Sequence, residues 1–201
     1  MSRVRNIADD IILDRAMSVF WRHGYAATTM RDLTRATGLS TAALYHRFLD
    51  KDGLFVEVLR RYADQGPSAR VACLSAQSSP LDAIRRFFGE LVAISVEDPQ
   101  QRGCLLVNTA LDGATMSAAA RQLVRARLGE VKAFFGTQLS RGVSSGAIDA
   151  GIDIDMVAEA LLGTVLAIRV LARLDPDPAR LGLLVDHSLA TLPAATDRIV
   201  S

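Results

Sequence analysis

The chain has 201 residues, half of them hydrophobic, which is enough for one or two domains with a sizeable core. Its 23 Lys and Arg against 22 Asp and Glu leave a formal net charge of +1, which excludes a polybasic binder and makes any contact with nucleic acid a local one. Two cysteines exclude a disulfide framework, and no apolar run in the first thirty residues is long enough for a signal peptide, so a cytoplasmic location is expected.

Apolar residues recur at spacings of three and four with almost no alternation of period two, which predicts an all-α chain. The first helix is expected from about Asn6 to His23, with Ile7, Ile11, Ile12, Ala16, Val19 and Phe20 inward and Gly24 ending it. A second opens at Thr28 or Thr29, whose hydroxyl can cap the next turn, and carries Met30, Leu33 and Ala36 before Gly38 stops it. Glycine leaves a helix in the left-handed conformation at least cost, and Leu39 can tuck back under the turn. Ser40 then caps a third helix, Thr41 to Phe48, roughly 12 Å long. It buries Leu44 and Phe48 and leaves Thr41, Ala42, Tyr45, His46 and Arg47 on an outer surface. Two short helices joined by a glycine turn make a DNA-reading device, and an outer surface of this size fits a major groove. Charge adds little to that inference: residues 1–53 hold eight Arg or Lys against six Asp, an excess of two.

A fourth helix is expected from about Lys51, with Leu54, Phe55, Val58, Leu59 and Tyr62 as its packed stripe. Pro67 breaks the chain after Gln65-Gly66 and marks the best boundary between two functional halves, the fourth helix belonging to both. Further helices are expected from Pro80 to Val96, Cys104 to Leu111, Met116 to Val143, Asp153 or Asp155 to Leu174, and Pro178 to about Leu192. Charges at Asp155, Glu159, Arg169 and Arg173 leave the segment Ile154 to Leu174 an uncharged core of nine residues, far short of the ~20 that a membrane span needs. It is a buried helix, apolar on nearly all sides. Its two faces are covered either by the ligand-binding core and a second subunit or, alternatively, by the core of a monomer. Gly163 in mid-helix costs about 1 kcal/mol against alanine and lets another helix approach closely.

Thr29, Gly38-Leu39-Ser40, Tyr45-His46-Arg47-Phe48, Asp50 and Lys51 stand in the order found in the DNA-binding domain of the TetR family of bacterial transcription regulators. The run Asp50-Lys51-Asp52-Gly53-Leu54-Phe55 after the aromatic-ended helix is much more specific than a bare helix-turn-helix, and the chain resembles that family. The resemblance implies a helix-turn-helix DNA-binding domain over residues 1–53 and a helical ligand-binding and dimerisation domain over 54–201. It implies a homodimer through the helices near 154–174 and 178–192, with recognition helices about 34–36 Å apart on a near-palindromic operator. Tyr45 and Lys51 become phosphate anchors by the same resemblance, and the capped helix ends at Thr29 and Ser40 offer N–H groups to phosphate. Thr41, Ala42 and His46 are the candidates for base edges. The family often has His or Tyr before Phe48; here Arg47 holds that position with His46 preceding it, and either could be the one that touches phosphate.

Arg102-Gly103-Cys104-Leu105 resembles a Gly-Cys-Leu motif of one branch of the family, in some members of which the cysteine senses electrophiles or oxidants. A cysteine in such a place is otherwise a small apolar side chain. The resemblance also implies a small-molecule inducer, apolar, aromatic or electrophilic, in a pocket rich in Leu, Val, Ile and Phe. Arg102, Asn108 and Thr109 are its candidate polar anchors, or equally helix caps and surface groups. No cofactor or metal is expected: His23, His46 and His187 lack ligand spacing, and neither a Gly-rich phosphate loop nor a GxSxG elbow is present. Single acids on helices, such as Glu57, Glu90 and Glu159, read as solvated faces and do not make an enzyme. The rival reading is a helical ligand-binding protein without DNA binding.

Overall fold

The computed structural model describes residues 7–76, 79–113 and 116–192. Asn6, the expected helix start, and the side chain of Ile7 lie outside that description. Within it the helices are α1 Ile7–Ala27, α2 Met30–Thr37, α3 Thr41–Phe48, α4 Lys51–Gln65 and α5 Pro67–Ser75. They continue with α6 Pro80–Val96, α7 Leu105–Leu111, α8 Ala118–Ser144, α9 Ile154–Leu171 and α10 Pro178–Ala190, and no strand occurs among the described residues. The chain divides into two compact units: Met1–Gly66 with Cys104–Arg127, and Pro67–Gly103 with Leu128–Ser201.

The first unit is built on α1, which buries Ile12, Leu13, Ala16, Met17 and Phe20. Ile11, expected inward, is 49% exposed because the buried stripe centres on Leu13 and Met17, on the opposite side of a 3.6-residue helix. Gly24 breaks the helical path where expected (φ 76°, ψ 167°), yet one more turn follows to Ala27. Rings join α1 to α4, Phe20 and Tyr25 lying 4.8 and 4.9 Å from Phe55 and Trp21 meeting Tyr62 edge-on at 5.0 Å. The stripe of α4 is buried at all five expected positions. The apolar run Leu105, Leu106 and Val107 of α7 is buried too, and α7 packs on α1 and α4. The short helix after Cys104 therefore lies with α1 and α4, and the chain changes unit at Gly66–Pro67.

In the second unit Pro67 opens a helix as well as ending one. Proline fits the first turn, where its missing N–H has no partner to lose, and α5 follows. The core is centred on four phenylalanines, Phe87 and Phe88 of α6 against Phe134 and Phe135 of α8, with ring centroids 5.0–5.7 Å apart. Leu91, Leu161, Val165, Ile168 and Leu181 complete it. Asp153 caps α9, accepting from the Met156 N–H, and Asp177 caps α10. No helix among the described residues is long and apolar enough to cross a membrane.

Candidate nucleic-acid interface

Thr28 is buried, its hydroxyl donating to the Gly24 carbonyl at 2.6 Å, so Thr29 is the cap of α2. The Thr29 hydroxyl accepts from the Asp32 N–H, and the Asp32 carboxylate accepts from both the N–H (3.1 Å) and the hydroxyl (2.6 Å) of Thr29. Those bonds from Thr29 hold the Asp32 carboxyl below its ordinary value. Thr29's own donors serve Asp32, so what this helix end offers a phosphate is the N–H groups of the following turn, beside a carboxylate.

Gly38 takes the left-handed conformation at φ 76° and its N–H donates to the Thr34 carbonyl, ending α2. Ser40 caps α3 by accepting from the Ala43 N–H at 3.2 Å, leaving the N–H groups of Thr41 and Ala42 at an exposed helix start. Leu44 is 1% exposed and Phe48 half-buried, while Tyr45 is 44% exposed and Thr41, Ala42, His46 and Arg47 share the outer surface. The helical spacing thus places the five expected side chains outward.

The end of α3 is laid directly on the start of α4. Leu49 bends the chain at φ 70°, Asp50 caps α4 by accepting from the Gly53 N–H at 2.7 Å, and a Cβ on Gly53 would come within 2.0 Å of the Phe48 carbonyl oxygen. Lys51, expected as a phosphate anchor, also has partners within the chain. Its ammonium donates to the carbonyls of Tyr25 and Thr28, both at 2.9 Å, and sits 4.3 Å from the centre of the Tyr25 ring. These contacts tie the end of α1 to the start of α4 and leave the third N–H for a phosphate. Burial, then the charges of Asp52 and Asp50, raises the Tyr25 phenol.

Of the two residues before Phe48, Arg47 is already engaged, its Nη1 lying 2.5 Å from Oδ1 of Asp9 in the first turn of α1. His46 faces outward. An exposed ion pair is worth at most about 1 kcal/mol, so Asp9→Asn should leave the fold stable and free Arg47 for phosphate. The expected result is severalfold tighter DNA binding and a log–log salt slope steeper by about one per subunit, read by fluorescence anisotropy over a salt series. Unchanged or weaker binding would make the pair a strut that holds α3.

The expected ligand anchors do not gather in one unit. Arg102 belongs to the second, where its Nε lies 3.2 Å from Oδ1 of Asp98, whereas Cys104, Asn108 and Thr109 belong to the first. Thr109 is buried with its hydroxyl donating to the Leu105 carbonyl at 2.7 Å. Cys104 is buried at the start of α7 and makes no capping hydrogen bond; Asn108 is half-buried. The exposed thiol is that of Cys73 on α5. Sequence reasoning passed over Gln138, which is 0% exposed in the core of the second unit. Its Oε1 accepts from Arg141 at 2.9 Å while its Nε2 has no hydrogen-bond partner among the described residues. The signal was legible: an amide on the stripe of Val131, Phe134, Phe135 and Leu139 is out of place unless something meets it.

Two family models match the chain, that of bacterial regulatory proteins of the tetR family over residues 12–58 and that of the tetracyclin repressor-like C-terminal domain over residues 80–187. The HTH-type transcriptional repressor ComR of Escherichia coli (strain K12) is 28% identical over 165 residues, covering 82% of this chain and 79% of that protein. The uncharacterized HTH-type transcriptional regulator YezE of Bacillus subtilis (strain 168) is 27% identical over 194 residues, 96% of this chain and all of that one. Among solved structures, a cysteine mutant of the TetR family transcriptional regulator CifR complexed with 26-bp double-strand operator DNA is 31% identical. It covers 96% of this chain and 100% of its own, with a TM-score of 0.83.

Proposed function

Since the chain belongs to the TetR family of bacterial regulatory proteins and is a transcriptional regulator rather than an enzyme, we propose that it is a cytoplasmic repressor that grips a near-palindromic operator as a homodimer and releases it to a small molecule. The observation that carries this is the outer surface of α3, which is held rigidly on its inner side by Leu44 and the α4 junction and exposed on the other. Tyr45 and the N–H groups after Ser40 take phosphates, Thr41, Ala42 and His46 meet base edges, and Arg47 joins them on leaving Asp9. The third N–H of Lys51 and the N–H groups after Thr29 add phosphate contacts, while the other bonds of Lys51 hold the helices in place.

The dimer face is supported by α9 and α10. Met156, Val170 and Leu183 are 65%, 36% and 69% exposed, and a Cβ added to Gly163 or Gly182 meets nothing within 4 Å. Nothing among the described residues calls for glycine there, whereas a second copy crossing closely does. On the ligand side, the buried Nε2 of Gln138 and the phenylalanine cluster favour an aromatic or apolar inducer with a hydrogen-bond acceptor. The burial of Cys104 favours its being a small apolar side chain; sensing at that thiol would require the start of α7 to open, and a Cys104→Ser protein still released by every electrophile tried would rule it out. The DNA-reading part spans residues 1–53, and the ligand-binding and dimerisation part 54–201.

About four phosphates per subunit predict a log–log salt slope of roughly −7 for operator binding. Tyr45→Ala, at an exposed position, should weaken binding about tenfold or more at constant melting temperature. A slope near zero in the unaltered protein would remove the electrostatic half of the proposal.

A further inference from the structure

A second cationic feature of the first unit lies away from the outer face of α3. Arg15, Ser18, Val19, Arg22 and His23 of α1 and Ala36 of α2 line a groove of about 280 Å³, and no carboxylate is among them. The nearby acids each have partners, although Asp32 also lies within electrostatic reach of His23. Both oxygens of Asp14 accept from Arg61, at 2.6 and 2.8 Å, and the Asp32 carboxylate is held by Thr29. Arg22 is exposed and makes no hydrogen bond or ion pair among the described residues. Arg15 and Arg22 are two turns apart, about 10 Å along the helix, so the groove has a cation at each end and a small apolar floor of Val19 and Ala36 between.

We propose that this groove is a phosphate-binding site that takes two phosphoryl groups in a row. Arg15 fixes its place relative to the recognition helix: Nη1 donates to the Thr37 carbonyl at 3.3 Å, and a Cβ on Gly38 would lie 3.9 Å from the same nitrogen. The groove therefore starts at the turn that leads into α3. A DNA strand held by the N–H groups after Ser40 could continue into it, which makes flanking backbone phosphates one source of the ligand; a free polyphosphate is the other. Only the DNA source rests on the repressor reading.

The test compares the unaltered protein with Arg22→Gln and with Arg15→Gln/Arg22→Gln, each checked by its melting curve. Salt-dependent binding is measured on an extended operator duplex that keeps the flanking base pairs and on one trimmed to the near-palindrome itself, and inorganic pyrophosphate is titrated calorimetrically into the DNA-free protein. If the source is backbone phosphate, the double variant loses about two units of salt slope per subunit on the extended duplex and none on the trimmed one. If the source is free, the unaltered protein binds pyrophosphate, the double variant does not, and the DNA slopes coincide. Arg22→Gln alone gives about half of either effect, so misfolding of the double variant does not hide the answer. Equal slopes on both duplexes together with pyrophosphate binding that is nil or unchanged would overturn the proposal. Failure of the unaltered protein to hold any duplex would sink the repressor reading, while the pyrophosphate titration would still judge the groove.

Discussion

A Gly163→Glu protein should fold with its helices intact, sediment as a monomer and bind operator about a hundredfold or more weakly than the unaltered protein. Within one chain the added Cβ meets nothing within 4 Å, and glutamate forms helix better than glycine by roughly 0.5–1 kcal/mol, so no fault in the monomer is expected. In a dimer the same side chain would drive a charge into the apolar face of Met156, Val170 and Leu183 and hold the partner helix away. The loss on DNA follows because each half-site alone engages one recognition helix and forfeits the effective concentration that the second supplies. Sedimentation velocity and anisotropy read the two effects separately. An unchanged mass would mean that the apolar face of α9 is turned to solvent and that the dimer is formed elsewhere.

The second large effect is expected at Gly53. Its Cβ would stand 2.0 Å from the Phe48 carbonyl oxygen and 3.2 Å from the carbonyl carbon. These are backbone atoms, which cannot swing aside as a flexible side chain can. Gly53→Ala should therefore cost about 2–3 kcal/mol or shift the end of α3, and in either case operator binding should fall far more than that of an equally destabilised core variant. Gly89→Ala on α6 is the control. A Cβ there meets nothing within 4 Å, and alanine should leave the protein unchanged or stabilise it by up to about 1 kcal/mol. Full DNA binding by Gly53→Ala would show that the α3–α4 junction does not set the presentation of the recognition helix.

The contrast between those two glycines and their neighbours shows how far the sequence can be read. Caps and turns are local, so the Ser40 cap, the left-handed Gly38 and the outward set from Thr41 to Arg47 follow from residues three or four apart. The stripe of α4 follows in the same way. The partners of the charged groups do not. Lys51 meets the carbonyl of Tyr25, 26 residues earlier, and Arg47 meets Asp9, 38 residues earlier; no spacing rule links such pairs. The resemblance implies a phosphate contact for Lys51 and leaves open whether Arg47 or His46 makes one, and neither the Lys51 bond to the end of α1 nor the Arg47 pair with Asp9 is legible in it. Helix α5 is hidden in the sequence because Pro67 reads as a break, although proline both ends one helix and suits the first turn of the next. Hydrophobicity alone places Ile11 inward, against the phase set by Leu13 and Met17. Chain order puts the short helix after Cys104 in the second half, and it packs on α1 and α4.

The most direct measurement is the selection and sequencing of genomic DNA fragments retained by the purified protein, run beside folded Tyr45→Ala. A dimeric repressor predicts one shared near-palindrome whose half-sites are centred about one helical turn of DNA, or a multiple of it, apart, and which the variant fails to enrich. Enrichment of no common sequence, or the same enrichment by Tyr45→Ala, would contradict the assignment of the outer face of α3 as the surface that reads DNA.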